Sequence, residues 1–235
     1  MVIGETGTYP IELEVKSRLL CFWYRLQSEN DNKMSCLMYN LIKKQSEHTQ
    51  FEMPWLTFVK KCLDDLGLSF VFDNPVYSSS QFKNIVKQRL KDQYVQFWNN
   101  SVNLNGICCN YRIFKTEFRF EEYLLKLPKK LMKSLLKLRL CNNKFPVNFD
   151  RYSGVPRGER LCTLCNMNEL GDDFHYLFKC KYANFVQLRT LYLKRYYLHH
   201  QNVLKYHDLM SSNNSTTVLK LAKLAKGLLD FFANN

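Results

Sequence analysis

The chain has 235 residues, 46% of them hydrophobic and 14% aromatic, with 34 Lys+Arg against 21 Asp+Glu. Such a composition excludes disorder for most of the length, and eight Gly and six Pro without a recurring period exclude a repeat fibre. The formal net charge of +13 points to a polyanion as partner, either nucleic acid or an anionic membrane surface.

Glu5, Glu12, Glu14, Lys16 and Arg18 interrupt the first thirty residues, so no signal-peptide apolar stretch is present. No uncharged run approaches the roughly 20 residues that span a bilayer. The chain is therefore read as soluble and intracellular, nucleus or cytoplasm left open, with no membrane partner. Nine Cys, an odd count, suit a reducing compartment better than a disulfide framework.

In chain order, residues 1–10 read as a loop ending in Gly7-Thr8-Tyr9-Pro10. Ile11, Val15, Leu19, Phe22, Trp23 and Leu26 then recur at helical spacing and predict a helix over about 11–27. After the polar break at residues 28–32, a second helix takes Met34, Leu37, Met38, Leu41 and Ile42 as its apolar face. A third begins near Pro54 and stops at Gly67. Residues 78–80 form an N-cap stretch for a helix on Phe82, Ile85, Val86, Leu90, Tyr94 and Phe97. Residues 101–111 connect. A short helix near Phe118–Leu124 breaks at Pro128, and the next carries Leu131, Leu135, Leu136, Leu138 and Leu140. Residues 153–158, rich in Gly and Pro, mark a boundary. A Cys/His segment, a helix over about 182–196 and an amphipathic helix over about 216–232 complete the chain. The expected fold is all-α, a helical bundle with an embedded small Cys3His zinc knuckle. It is divided into helical residues 1–110, a basic segment 111–152, the knuckle module 153–200 and a C-terminal helical segment 201–235.

The chemistry lies in Cys162, Cys165, His175 and Cys180, spaced C-x2-C-x9-H-x4-C. Two residues between thiols let a tight turn aim both sulfurs at one point, and the later pair closes a tetrahedron. Three thiolates and an imidazole with no open position suit one structural Zn2+ rather than catalytic zinc. The ion would staple a module expected to be too small for its own core. The bland alternative is four unrelated buried residues. A redox CxxC needs a βαβ setting that the pattern lacks. Cys21, Cys36 and Cys62 read as small hydrophobes on helical faces, Cys141 as a spare ligand at most, and Cys108 and Cys109 as too close to share a metal. His199, His200 and His207 read as exposed.

Between Arg112 and Arg160 stand thirteen Lys+Arg against five acids, so +8 of the net +13 lies there. Lys129, Lys130, Lys133, Lys137 and Arg139 on the basic helix, with Arg157 and Arg160 before the knuckle, are the expected phosphate contacts with RNA or DNA. No catalytic residue is legible. Asp64-Asp65 sits near a helix end without a third carboxylate, Asp172-Asp173 reads as an N-cap, and no phosphate loop or activated serine appears.

Several runs resemble the C-terminal region of non-LTR (LINE-type) retrotransposon polyproteins, downstream of the reverse-transcriptase palm. They are Gly7-Thr8-Tyr9-Pro10, Arg18-Leu-Leu-Cys-Phe-Trp23, Phe82 to Trp98 with Lys87-Gln88-Arg89, and Leu138-Arg139-Leu140. The most specific are Pro156-Arg157-Gly-Glu-Arg160-Leu-Cys162-Thr-Leu-Cys165 and Asp173-Phe-His175-Tyr-Leu-Phe-Lys-Cys180. The resemblance implies an accessory zinc module that holds template RNA or target DNA during target-primed reverse transcription. Cys162, Cys165, His175 and Cys180 would be the ligands, and Arg157 and Arg160 phosphate contacts. The family's Phe/Tyr-x-Asp-Asp polymerase motif and the Pro-Asp nuclease signature are missing, so the implied role is not enzymatic. The rival reading is a zinc-stapled interaction domain docking protein partners through the Phe82–Trp98 and Thr216–Phe232 faces, or an inert relic of an element.

Overall fold

The computed structural model describes residues 2–27, 33–48, 53–104, 106 and 109–234. The polar break at 28–32 and Cys108 lie outside them. The helices, in order, are α1 (Val2–Thr6), α2 (Ile11–Leu26), α3 (Met34–His48), α4 (Pro54–Asp65) and α5 (Ser79–Leu104), followed by α6 (Tyr111–Phe114), α7 (Tyr123–Lys126), α8 (Lys129–Arg139) and α9 (Pro146–Phe149). After the Cys/His segment come α10 (Ala183–Tyr192), α11 (Arg195–Leu198), α12 (Val203–Met210) and α13 (Ser215–Asn234). Among the described residues there is no strand, only an isolated antiparallel bridge between Leu161 and Leu170. The fold is all-α with an embedded Cys3His cluster.

Two compact units divide the chain, a smaller one of Tyr9–Phe97 and a larger one that joins Met1–Thr8 to Trp98–Asn235. The smaller unit packs Leu20, Trp23, Leu63, Leu68, Val71, Phe82 and Val86 into a closed core. Trp23 stacks on Phe72 and Tyr24 on Phe82, with centroids 5.5 Å and 4.1 Å apart. α5 starts on a reciprocal capping box. Ser78 N–H donates to Gln81 Oε1 at 2.9 Å, and Gln81 N–H donates back to Ser78 Oγ at 3.4 Å.

α3 is rotated from its expected setting. Cys36 and Tyr39 face the core, while Met34, Leu37, Met38 and Leu41 are each about half or more exposed. The aromatic contacts decide the rotation. Tyr39 Oη accepts from buried Trp23 Nε1 at 3.1 Å, and its ring meets Trp55 edge-on. A buried indole N–H needs that partner, and four aliphatic side chains offer none.

In the larger unit α13 lies along α8. It buries Val218, Leu221, Ala222, Leu224, Ala225 and Leu228 against Leu135 and Leu138. Asn214 caps α13 by accepting from Thr217 N–H at 3.0 Å. Two expectations change here. The Cys/His segment shares a large core, because Tyr176, Leu177, Phe178 and Phe185 are buried in one cluster with α8 and α13. The faces the rival reading needed for docking are also occupied, since Phe82, Val86, Leu90 and Trp98, like the α13 stripe, are buried in the chain's own cores.

Candidate metal centre

Two short elements carry the four ligands. Around the Leu161–Leu170 bridge, Cys162 N–H donates to Glu169 O at 2.8 Å and Gly171 N–H to Arg160 O at 2.9 Å. These bonds pin the ends of a loop whose turn holds Cys162 and Cys165. Leu164 N–H points at Cys162 Sγ from 3.4 Å, the kind of amide bond that favours a thiolate.

The second pair comes from one helical turn. Asp172 caps it, Oδ1 accepting from His175 N–H at 2.8 Å, as the Gly-Asp-Asp run suggested. Asp173 is buried and accepts from Asn110 Nδ2 at 2.7 Å and from Tyr206 Oη. The turn His175–Lys179 is π-helical, with Cys180 N–H donating to His175 O at 2.8 Å. In an ordinary α-helix, residues five apart point about 140° away from each other. A wider turn returns the fifth residue toward the first and lets His175 and Cys180 face one point.

All four ligand atoms lie within 4.8 Å of one another. Cys162 Sγ is 3.7 Å from Cys165 Sγ and 3.9 Å from Cys180 Sγ, and Cys165 Sγ is 3.4 Å from His175 Nε2. Cys162, His175 and Cys180 are buried, and Cys165 is half-buried. Burial pushes the Cys180 thiol up to about 12. Burial also opposes the Cys165 thiolate, but amide hydrogen bonds from Met167 and Lys181 and the neighbouring thiols outweigh it, so its pKa falls.

The surroundings orient and balance the tetrad. Glu169 Oε2 lies 3.1 Å from His175 Nδ1, and Lys179 Nζ holds the other carboxylate oxygen at 2.9 Å. A proton on Nδ1 bound to Glu169 leaves the Nε2 lone pair facing the sulfurs. Arg189 is buried and donates through Nη2 to Cys180 O, while its Nη1 has no partner among the described atoms. Three thiolates around a divalent ion would leave one negative charge, which the buried guanidinium would offset. The four residues can hold a metal ion, closed on all sides by protein ligands.

No protein-family model, curated protein or solved structure matches this chain.

The expected phosphate contacts separate sharply. Lys129, Lys130, Lys133 and Lys137 are exposed on α8, and none is in an ion pair among the described residues. Arg139 does not belong with them. It is 2% exposed, forks onto Glu5 at 2.9 and 3.2 Å, reaches Glu121 at 3.2 Å and packs on the Phe114 and Tyr123 rings. Arg160 is half-buried and turned inward, donating to Val155 O at 2.8 Å and Val147 O at 2.9 Å. Arg157 is half-buried in the short turn Arg157–Glu159. Cys141 is not among the converging ligands, His199, His200 and His207 are exposed, and Asp64 accepts from Ser69 Oγ at the end of α4.

Proposed function

We propose that the chain is a zinc-stapled nucleic-acid-binding protein without chemistry of its own, the role implied by its resemblance to the C-terminal region of non-LTR retrotransposon polyproteins. The ligand spacing supports zinc. A tetrahedral ion at 2.3 Å from sulfur and about 2.05 Å from nitrogen sets S···S edges of about 3.8 Å and S···N edges of about 3.6 Å. The separations of 3.7, 3.9 and 3.4 Å fit that frame.

The observation that carries nucleic-acid binding is the row Lys129, Lys130, Lys133 and Lys137, four exposed cations without acid partners among the described residues, in the unit that holds the tetrad. Four phosphate contacts give a salt slope of about −3 in log K against log salt. The test is fluorescence anisotropy of a labelled structured RNA with zinc-loaded protein, beside metal analysis by mass spectrometry. The expected result is one zinc per chain, lost with Cys165→Ser. The four-lysine Glu variant should bind more weakly, with a salt slope shallower by about 3. Wild-type protein that stays unbound at low salt would sink the nucleic-acid reading and leave zinc as a staple.

One observation favours the interaction-domain reading, the open stripe Met34, Leu37, Met38 and Leu41 on α3. Under that reading association is insensitive to the α8 charges and weakened by Leu37→Asp.

A further inference from the structure

A second basic surface lies in the smaller unit, between α2 and the first half of α5. A hollow of about 710 Å³ is lined by Arg18, Arg25, Lys83 and Lys87 with Ser79, Ser80 and Phe22. A neighbouring hollow of about 290 Å³, lined by Tyr9, Lys87 and Lys91, shares Glu14, Ser17 and Lys87 with it, so the two form one groove. Glu14 is the one acid in the lining, and Arg18 holds it at 2.8 Å. Its carboxyl is kept below the ordinary range first by that hydrogen bond and then by the field of Lys87. Neither Lys83 nor Lys87 is in an ion pair among the described residues.

We propose that this groove binds a single-stranded polynucleotide, its phosphates on Lys83, Lys87, Lys91, Arg18 and Arg25 and its bases against Phe22 and Tyr9. The spacing supports a strand over a single anion. Lys83, Lys87 and Lys91 stand four residues apart on one helix face, a cation every 6 Å or so over about 12 Å. Phe22 is 48% exposed and Tyr9 38% exposed, with Lys91 Nζ 5.6 Å from the Tyr9 ring centre. A row of cations beside partly exposed aromatic rings is how proteins hold single strands without reading sequence, charge tracking the backbone and rings stacking bases. An acidic peptide would satisfy the cations and leave the rings unused. The proposal extends the nucleic-acid reading to another surface and stands independently of the α8 lysines.

Anisotropy of labelled oligothymidine and of a labelled duplex, titrated with the full zinc-loaded chain, tests it. Lys83→Glu/Lys87→Glu should weaken oligothymidine binding about tenfold or more and flatten the salt slope by about 1.4, two phosphates' worth. Phe22→Ala should weaken it about fivefold or more by losing a stack, with duplex binding unchanged. Lys220→Glu/Lys223→Glu, the same charge change on exposed α13 positions, should cost far less. The groove's effect should persist when the four α8 lysines are also Glu, which separates failure of that site from failure of this one. Should a Glu variant misfold by circular dichroism, Lys83→Gln/Lys87→Gln must show the same direction. The proposal is overturned by a groove variant no weaker than the α13 control, by equal loss on duplex for Phe22→Ala, or by displacement with polyglutamate as ready as with oligothymidine.

Discussion

Arg139 is where charge, burial and position meet most sharply. Its guanidinium forks onto Glu5 and touches Glu121, while Lys115 takes the other Glu121 oxygen at 2.5 Å and Tyr123 Oη donates to Glu5 at 2.5 Å. Removing one partner from such a cluster leaves opposite charges buried and unmatched. Arg139→Ala should therefore cost about 3–5 kcal/mol in urea unfolding of the full chain. Arg139→Lys should recover little, because an ammonium can neither fork onto a carboxylate nor lie flat between the Phe114 and Tyr123 rings. A lysine variant as stable as wild type would reduce the cluster to a simple charge pair. The burial had a trace in the sequence. Arg139 stands four residues after Leu135 and eight after Leu131, on the apolar stripe, whereas Lys129, Lys133 and Lys137 repeat along the opposite side. Counting charge alone hid this. The cluster of Cys162, Cys165, His175 and Cys180 was legible as a group because metal coordination asks for residue type and spacing together. Glu169 and Arg189 were not, because hydrogen bonding to a ligand imposes no sequence interval.

At the scale of elements, periodicity showed where helices run more reliably than which face turns inward. α8 and α13 bury the stripes expected of them, while α2 buries Trp23 and Leu26 but leaves Ile11, Val15 and Phe22 exposed. α3 does not bury its stripe, because Tyr39 must meet Trp23 and Trp55, and Met34, Leu37, Met38 and Leu41 lie on the opposite side of the helix from it. The π-turn at His175–Lys179 also left no periodic sign. It brings His175 and Cys180 toward one point over a five-residue stretch, too short for any period to register. The setting of α3 makes a paired prediction. Leu224→Ala on α13 removes a fully buried side chain and should cost about 2–5 kcal/mol. Leu41→Ala removes one that is 62% exposed and should change stability by no more than about 0.5 kcal/mol. Thermal or urea unfolding of both variants decides the matter. A large loss at Leu41 would mean that α3 buries the stripe first expected.

At the scale of the whole molecule, the boundary between the two units falls at residues 97 and 98, inside α5. A boundary within a continuous helix leaves no proline, glycine or polar run, which is why composition pointed elsewhere along the chain. The larger unit also takes back the first eight residues, far from the rest of it in sequence. Glu5 accounts for this. It is fully buried, its carboxylate meets Arg139 and Tyr123, and its carbonyl accepts from Glu121 N–H at 2.9 Å. Gly7 completes the path with φ +59, and a side chain there would run into the Arg119–Phe120 backbone. Deleting residues 1–8 should therefore loosen a unit that begins ninety residues later. Hydrogen exchange of the truncated protein is expected to quicken in α8, α12 and α13, whose Arg139 and Met210 lose their anchor, while α2 and α4 keep wild-type protection. Gly7→Ala should push in the same direction more weakly. If α2 and α4 lose protection and α8 does not, the opening segment belongs to the smaller unit, and Glu5 is not the partner that keeps Arg139 in the core.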